Sequence, residues 1–355
     1  MTPYAGLIEV DGVLYGTTHQ GGANSLGTVF SFDPATGTET VLHSFRGDDG
    51  VSPETSLTNI GGTLYGTTSA KDPAFGACKG SDCGVVFAVD LATQRFRIAH
   101  TFAGGRDGRR PLQLLAVGGL LYGTTMYGGD GNRGTVFRLD PSTGTKTVLY
   151  RFAGGRDGQY PHTGLVAIGD TLYGTTFGGG DQPILDGCCG TVFAVSLATG
   201  EKRVLHRFLG HGDGMTPEAA LIPVGNTLYG AAYSSSTGGS DGGSGVLFAV
   251  DATSGAERIL HHFNGAGDGW DPKSSLTLAD GALYGTTSGS GAHGRGTVYA
   301  ITPSTEEFSL LYTFDLGDGA YPGAPLLNVG GRLYGTTQIG GDPVCHCGVI
   351  YKLMP

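Results

Sequence analysis

The tripeptide Leu-Tyr-Gly occurs seven times in this chain of 355 residues, and no other feature restricts the possible fold as strongly. The seven tyrosines are Tyr15, Tyr65, Tyr122, Tyr173, Tyr229, Tyr284 and Tyr334. Successive copies lie 50 to 57 residues apart, and self-similarity on this scale is typical of solenoids, propellers and repeat arrays. We therefore expect one supersecondary unit, repeated seven times.

Each unit contains four short runs of β-branched, aromatic and aliphatic residues, and Gly, Pro, Asp or Asn separate them as turns separate strands. In the second unit these runs, named A to D, cover 55–60, 63–68, 84–90 and 97–102. Four antiparallel strands in each of seven units predict an all-β fold, a seven-bladed β-propeller. A solenoid fits less well, because its repeats are usually shorter or helical. The last unit ends without a run D, so we expect three strands in blade seven.

The repeat extends over the whole chain, which predicts a single domain covering residues 1-355. The expected blades are roughly 1-46, 53-103, 111-153, 161-209, 217-264, 272-315 and 322-355. The 67 glycines have no collagen-like period and lie at the predicted turns. The formal net charge of -10 argues against a nucleic-acid or anionic-membrane partner. The chain starts with neither a basic segment nor an apolar core, so we expect no signal peptide and no membrane insertion.

Residues that recur in every unit are interpreted as scaffold. One aromatic column in run C comprises Phe30, Phe87, Phe137, Phe193, Phe248, Tyr299 and Tyr351, and it predicts packing between sheets. A column in run D comprises His43, His100, Tyr150, His206, His261 and Tyr312. An aspartate that precedes glycine recurs as Asp49, Asp107, Asp157, Asp213, Asp268 and Asp318. These carboxylates are expected to accept local backbone hydrogen bonds in turns, and a ring of calcium ligands is the alternative.

The combination of Leu-Tyr-Gly-Thr-Thr, Gly-Gly, Gly-Thr-Val-Phe and Phe-x-Gly-x-x-Asp-Gly-x-x-Pro resembles the GloVer-type tandem repeat of bacterial proteins, over nearly the whole chain. The resemblance implies secreted or surface-anchored molecules, but no particular activity. The strand order also resembles Kelch-like β-propellers, which supports the fold and brings no catalytic residues. Unit five departs from the pattern, because Ala231 and Ala232 replace the Thr-Thr pair.

The six cysteines form three pairs, each between runs B and C, and the second cysteine of each pair directly precedes the glycine that opens run C. The pairs are Cys78 with Cys83, Cys188 with Cys189, and Cys345 with Cys347. Three local disulfides would indicate an oxidising compartment, so a secreted, periplasmic or cell-surface location is expected. A soft-metal site that includes His346, or free thiols, are the alternatives.

Function is expected on the face that carries the B–C and D–A loops, because these loops vary in length and sequence. Positions that differ between units are free from scaffold roles. If the chain is an enzyme, its acid and base residues are predicted to be Glu54, His162, Glu218, Lys273 and Tyr4. The predicted ligand-binding residues are His19, Arg110, Met126, Tyr160, Phe177, Tyr233, Trp270, Asp271, Tyr321 and Gln338.

Charged and aromatic residues around one mouth of the central channel predict a site with apolar walls and polar anchors. The sequence therefore favours a monomeric, glycine-rich propeller that binds a small molecule or a carbohydrate there. The alternative is an enzyme, a lyase, hydrolase, isomerase or cyclase, at the same mouth. No motif for a metal or another cofactor is present, so none is predicted.

Overall fold

The computed structural model describes residues 5–70, 83–180, 189–210, 212–233, 244–265, 267–341 and 348–354, and it is a seven-bladed β-propeller, as the sequence predicts. All strand pairs are antiparallel, and the four main strands of a blade pair in chain order, A-B-C-D. Over the described residues there is no α-helix, and the only helical segments are two 3-10 turns, Gly105–Asp107 and Gly155–Asp157. Neither could cross a membrane.

The chain forms two compact units. The first consists of residues 1–153, 160–165 and 199–201, and the second of residues 154–159, 166–198 and 202–355. The first unit contains the first three blades. Blade one has β1 (Ile8–Val10), β2 (Val13–Thr18), β3 (Thr28–Asp33) and β4 (Thr38–Ser44); blade two has β5 (Thr58–Ile60), β6 (Thr63–Thr67), β7 (Val85–Asp90) and β8 (Phe96–Thr101); blade three has β9 (Arg109–Pro111), β10 (Leu115–Val117), β11 (Leu120–Tyr127), β12 (Thr135–Leu139) and β13 (Lys146–Arg151).

The second unit contains most of blade four and all of blades five to seven. Blade four has β14 (Gln159–Pro161), β15 (Val166–Ile168), β16 (Thr171–Gly178), β17 (Thr191–Ser196) and β18 (Lys202–Arg207); blade five has β19 (Ile222–Val224), β20 (Thr227–Ala232), β21 (Val246–Asp251) and β22 (Glu257–His262). Blade six has β23 (Thr277–Ala279), β24 (Ala282–Thr287), β25 (Thr297–Thr302) and β26 (Glu307–Thr313); blade seven has β27 (Ala320–Pro322), β28 (Leu327–Val329), β29 (Arg332–Ile339) and β30 (Ile350–Leu353). Blade seven therefore has strands A, B and C plus the short β27, and no described strand D.

The core lies between neighbouring sheets rather than within one sheet. Blades five and six, for example, bury Tyr229, Leu247 and Phe263 against Leu283 and Tyr299. The aromatic column of strand C takes part in this packing throughout, and five of its rings are fully excluded from solvent: Phe87, Phe137, Phe193, Phe248 and Tyr299. The prediction that these aromatics are scaffold is confirmed.

The glycine of Leu-Tyr-Gly lies directly opposite the aromatic ring of strand C. Gly66 pairs with Phe87, and a Cβ atom at Gly66 would lie 2.3 Å from Cζ of that ring. The corresponding distances are 2.7 Å between Gly123 and Phe137, and 2.5 Å between Gly230 and Phe248. The motif thus requires glycine because the ring occupies the space of a side chain.

The residue before each unit proline has a left-handed backbone, which is unusual for a residue with a side chain. The φ angles are 53° at Ser52, 54° at Arg110, 57° at Tyr160, 49° at Thr216, 67° at Asp271 and 59° at Tyr321. The backbone N–H of these residues donates to the B–C loop of the preceding blade, as from Ser52 to Leu26 O at 2.9 Å and from Asp271 to Ser244 O at 3.0 Å. The strained conformation is therefore part of how one blade is joined to the next.

The recurring aspartates form turns, as the sequence predicts. Each carboxylate accepts a backbone N–H from the end of the preceding strand D, as from Arg46 to Asp49 at 2.8 Å and from Ala103 to Asp107 at 2.9 Å. Histidines of the strand D column contact the same carboxylates: His43 Nε2 lies 2.8 Å from Asp49 Oδ2, and His261 Nε2 lies 2.8 Å from Asp268 Oδ2. These groups are local architecture.

Candidate functional site

Two columns of blade-specific residues, both predicted to carry function, contact each other across blade boundaries. One column follows the unit proline, and the other follows the Thr-Thr or Ala-Ala pair at the end of strand B. Glu54 of blade two contacts His19 of blade one, and Lys273 of blade six contacts Tyr233 of blade five. Each compact unit therefore contains one polar cluster at its loop edge.

The cluster of the first unit consists of His19, Glu54 and Arg110. His19 Nε2 lies 3.2 Å from Glu54 Oε1, and Arg110 Nη2 lies 3.4 Å from Glu54 Oε2. All three side chains are partly exposed. Each carboxylate oxygen of Glu54 therefore contacts a neighbouring side chain. These two contacts fix the position of the carboxylate.

The cluster of the second unit, named the blade 5/6 cluster, consists of Glu218, Tyr233, Asp271, Lys273 and Ser288. Lys273 Nζ lies 3.1 Å from Asp271 Oδ2, and Ser288 Oγ donates to the same oxygen at 3.1 Å. The Lys273 ammonium also lies 4.4 Å from the centre of the Tyr233 ring, a cation–π contact. An ammonium, two carboxyl groups and an aromatic face are therefore grouped at one loop edge.

Burial and neighbouring charges shift the pKa values of two residues in this cluster, Glu218 and Lys273. Burial raises the pKa of Glu218, and the Asp271 charge adds to this, while the Lys273 ammonium opposes it. Burial alone would lower the pKa of Lys273, but the Asp271 salt bridge and the nearby Glu218 outweigh it, so the net shift is upward. The ammonium therefore stays charged, and Glu218 holds a proton more readily than an exposed glutamate does.

The indole of Trp270, the residue directly before Asp271 in the chain, lies against Gly289. A Cβ atom at Gly289 would lie only 1.7 Å from Trp270 Nε1, so glycine is required for this contact. The two residues also exchange backbone hydrogen bonds, at 3.0 and 3.3 Å. The indole therefore contacts the protein along its pyrrole edge, and 54% of Trp270 remains exposed. Tyr233 is 37% exposed.

Two predicted tyrosines contact arginine or another aromatic residue. Tyr160 packs edge-on against Tyr127, with ring centres 5.6 Å apart. Tyr321 accepts a hydrogen bond from Arg295 Nη1, whose guanidinium lies 5.6 Å from the Tyr321 ring centre. Tyr127 and Arg295 were not predicted; Tyr127 ends strand β11 and Arg295 lies in the loop before β25, and their position next to the variable B–C loops was the only signal for them.

The remaining predicted residues differ in exposure. His162, Met126 and Phe177 are half-buried, Gln338 is exposed, and Tyr4 lies outside the described residues. Glu54 and His162 belong to the first unit, and Glu218 to the second. Convergence of these three on one point stays a prediction. Cys83 and Cys189 are buried, while Cys78, Cys188, Cys345 and Cys347 lie outside the described residues, so the disulfide pairing also stays a prediction.

Sequence comparison identifies a repeat family. The family profile described as the Gloeobacter/Verrucomicrobia repeat matches residues 1–78, 73–240 and 230–355. No curated protein sequence matches the chain.

Solved structures share the fold at low sequence identity. An oligogalacturonate lyase in complex with manganese superposes with a TM-score of 0.58 at 13% identity, over 97% of this chain and 86% of the lyase. A puromycin-hydrolysing peptidase of Mycobacterium tuberculosis superposes with a TM-score of 0.62 at 11% identity, over 98% of this chain. The chain spans 51% of that peptidase's length. Such low identities show a common propeller fold and no common activity.

Proposed function

We propose, for a chain that belongs to the Gloeobacter/Verrucomicrobia repeat family, that it is an exported propeller whose loop edges bind a small molecule or a glycan. The observation that carries the proposal is the exposed indole of Trp270, which lies against Gly289 and is followed in the chain by Asp271 and, two residues further on, by Lys273. An exposed aromatic ring beside charged hydrogen-bonding groups suits a sugar ring, because the C–H face of the sugar packs on the indole and its hydroxyls meet the polar groups.

The alternative is an enzyme that uses the same cluster. Its support is the carboxyl group of Glu218, which burial keeps protonated to a higher pH than usual, beside the charged ammonium of Lys273. A carboxylic acid in such surroundings can act as a general acid. Binding of a ligand that stays chemically unchanged favours the binding function. Conversion of the ligand into a product favours the enzymatic function.

Trp270 is the only tryptophan of the chain, so its fluorescence reports directly on the proposed site. We expect one or more members of a panel of neutral and uronic-acid oligosaccharides to change its emission on titration. Calorimetry should then show at least about tenfold weaker binding for Trp270→Ala and for Lys273→Met, because each removes a side chain that would contact the ligand.

Leu278→Ala is a matched control, because Leu278 is also an exposed apolar residue but lies in the A–B hairpin of blade six. Its affinity should equal that of the unchanged protein. If no oligosaccharide alters the emission, or if Trp270→Ala binds as well as the unchanged protein, the glycan proposal is wrong. Analysis of the same mixtures for cleaved products tests the enzymatic alternative.

A further inference from the structure

The residue at one register position near the start of strand D differs between blades, although in blades two to six it always contacts the turn aspartate of the preceding repeat or the histidine beside that aspartate. In blades two to six this residue is Phe96, Lys146, Lys202, Glu257 and Phe308. Phe96 stacks on His43 with ring centres 3.6 Å apart, and Phe308 stacks on His261 at 3.7 Å. In these two places the histidine lies between the aspartate and an aromatic ring.

In blades three and four the position holds a lysine, which supplies a cation to the aspartate. Lys146 Nζ lies 2.7 Å from Asp107 Oδ1, and Lys202 Nζ lies 2.7 Å from Asp157 Oδ1. The two lysine side chains are only 3% and 1% exposed. A partly exposed carboxylate at this place is thus balanced by a buried positive charge.

In blade five the same position holds Glu257, which adds a second carboxyl group instead of a cation. His206 Nε2 lies 3.3 Å from Asp213 Oδ1 and 3.8 Å from Glu257 Oε2, and the Glu257 side chain is only 11% exposed. One potential ligand atom of each residue lies within 4.8 Å of the other two. His206 Nε2 and Glu257 Oε1 are buried, and neither has a hydrogen-bond partner among the described residues.

These distances suit a single ion at the centre of the group. Imidazole nitrogen and carboxylate oxygen ligands lie ~2.0–2.2 Å from a tetrahedral zinc ion, which places neighbouring ligand atoms ~3.3–3.5 Å apart. The observed separations of 3.3 and 3.8 Å need only a small adjustment. We propose that His206, Asp213 and Glu257 bind a divalent transition-metal ion, such as Zn²⁺ or Mn²⁺, that joins blades four and five.

The donor set argues for a transition metal over calcium or magnesium. Zinc and other transition metals accept an imidazole nitrogen as a ligand, whereas calcium and magnesium take oxygen ligands. Three protein ligands leave at least one coordination position open for water or another donor. The ion replaces the lysine ammonium found in blades three and four, so its role is to balance charge and hold the two blades together.

The competing arrangement is a proton shared between the two carboxyl groups. Burial, together with hydrogen bonding to Asp213, raises the pKa of Glu257 to about 9 in the metal-free protein. A protonated Glu257 could therefore satisfy Asp213 without any ion. The two arrangements differ in metal uptake, which can be measured directly.

The test uses the full chain, freed of metal with a chelator and titrated with ZnCl2, MnCl2 and CaCl2 in separate calorimetry experiments. We expect one Zn²⁺ or Mn²⁺ per chain to be bound at this site, and Ca²⁺ to bind at least about tenfold more weakly. Glu257→Lys restores the residue type of blades three and four, so it should fold and lose this binding event. Any zinc that binds to the cysteines also binds to Glu257→Lys. The uptake measured for this variant is therefore subtracted from the uptake of the unchanged protein.

A second variant tests whether the residue set is sufficient. Lys146→Glu places a carboxyl group beside His100 and Asp107, which repeats the His-Asp-Glu set between blades two and three. It should gain one transition-metal site, whereas Lys202→Glu, beside Asp157, should bind far more weakly, because the strand D column of the preceding repeat holds Tyr150 instead of a histidine. The proposal is wrong if the unchanged protein and Glu257→Lys take up the same amount of metal, and it is also wrong if neither takes up any. This comparison decides the proposal even if Lys146→Glu does not fold.

Discussion

At the level of single residues, the glycine of Leu-Tyr-Gly is required by the aromatic ring beside it. The ring of strand C lies where a Cβ atom would be, so any side chain would push the ring out of the tightly packed space between two blades. The backbone of this glycine has no left-handed φ, so the requirement is one of space.

Gly66→Ala tests this explanation. We expect it to reduce the free energy of unfolding by about 1–3 kcal/mol, because the new methyl group would lie 2.3 Å from Phe87 and 2.9 Å from Leu57. Gly131→Ala is the matched control, since its nearest neighbour is the flexible Arg133 side chain at 3.5 Å, and it should change stability by no more than about 0.5 kcal/mol. Urea unfolding measures both, and equal effects would contradict the explanation.

At the level of strands, the end of each B–C pair is closed by a small contact that comes in three chemical forms. In blades two and seven a threonine faces a valine, and its hydroxyl accepts the valine backbone N–H, from Val85 to Thr68 at 3.1 Å and from Val349 to Thr337 at 3.0 Å. In four blades two threonine hydroxyls hydrogen-bond across the strands at 2.8 to 2.9 Å: Thr18 with Thr28, Thr125 with Thr135, Thr176 with Thr191, and Thr287 with Thr297. In blade five the same two places hold Ala232 and Val246. The departure of unit five from the Thr-Thr pattern is therefore matched on the opposite strand.

The matched change predicts strong coupling between Thr18 and Thr28. Thr18→Ala alone leaves the buried Thr28 hydroxyl without its partner and should cost about 1–3 kcal/mol of unfolding free energy, whereas Thr28→Val alone reproduces the Thr–Val pair of blades two and seven and should cost less. The double variant reproduces the blade five pair, so it should be more stable than the sum of the single effects predicts, by about 1 kcal/mol. A double-mutant cycle by chemical denaturation gives this coupling, and simple additivity would show that the hydroxyl pair is unimportant.

At the level of the whole molecule, seven copies of one scaffold leave a small set of residues free to differ. The cluster of His19, Glu54 and Arg110 in one unit and the blade 5/6 cluster in the other consist of such residues. The repeat supplies the backbone geometry of these loop edges, including the left-handed residue before the proline. Chemistry specific to this protein is then added by side chains at equivalent positions.

The proposed export of the protein predicts that all six cysteines are oxidised in three local pairs. Alkylation of the unreduced, denatured protein should therefore modify none of them, and after reduction it should modify all six. Proteolysis before reduction should yield peptides in which Cys78 is linked to Cys83 and Cys345 to Cys347. Full labelling without reduction would contradict both the pairing and the argument for an oxidising compartment.

The sequence by itself determined the fold, because a period of about fifty residues with four strand patterns fits a propeller blade and little else. It also separated scaffold from variable positions, since seven copies allow a comparison within one chain. This comparison alone selected Glu54, His19, Lys273 and Tyr233 as variable positions, and in the structure Glu54 contacts His19 and Lys273 contacts Tyr233. Their contacts follow from register: the residue after the proline of one unit comes beside the end of strand B in the unit before.

Only the tertiary structure decided which variable residues meet across a blade boundary. His206, Asp213 and Glu257 belong to two repeats and three columns; the histidine column was interpreted as scaffold, and the aspartate column as turns, with a ring of calcium ligands as the alternative. The difference between Lys202 and Glu257 is visible in the sequence, but its meaning depends on the carboxylate of Asp213, which lies 44 residues away from Glu257 in the chain. Distances between side chains of different blades depend on how the sheets pack. The repeat pattern gives the spacing of equivalent residues along the chain, but it does not show which side chains of neighbouring blades are in contact.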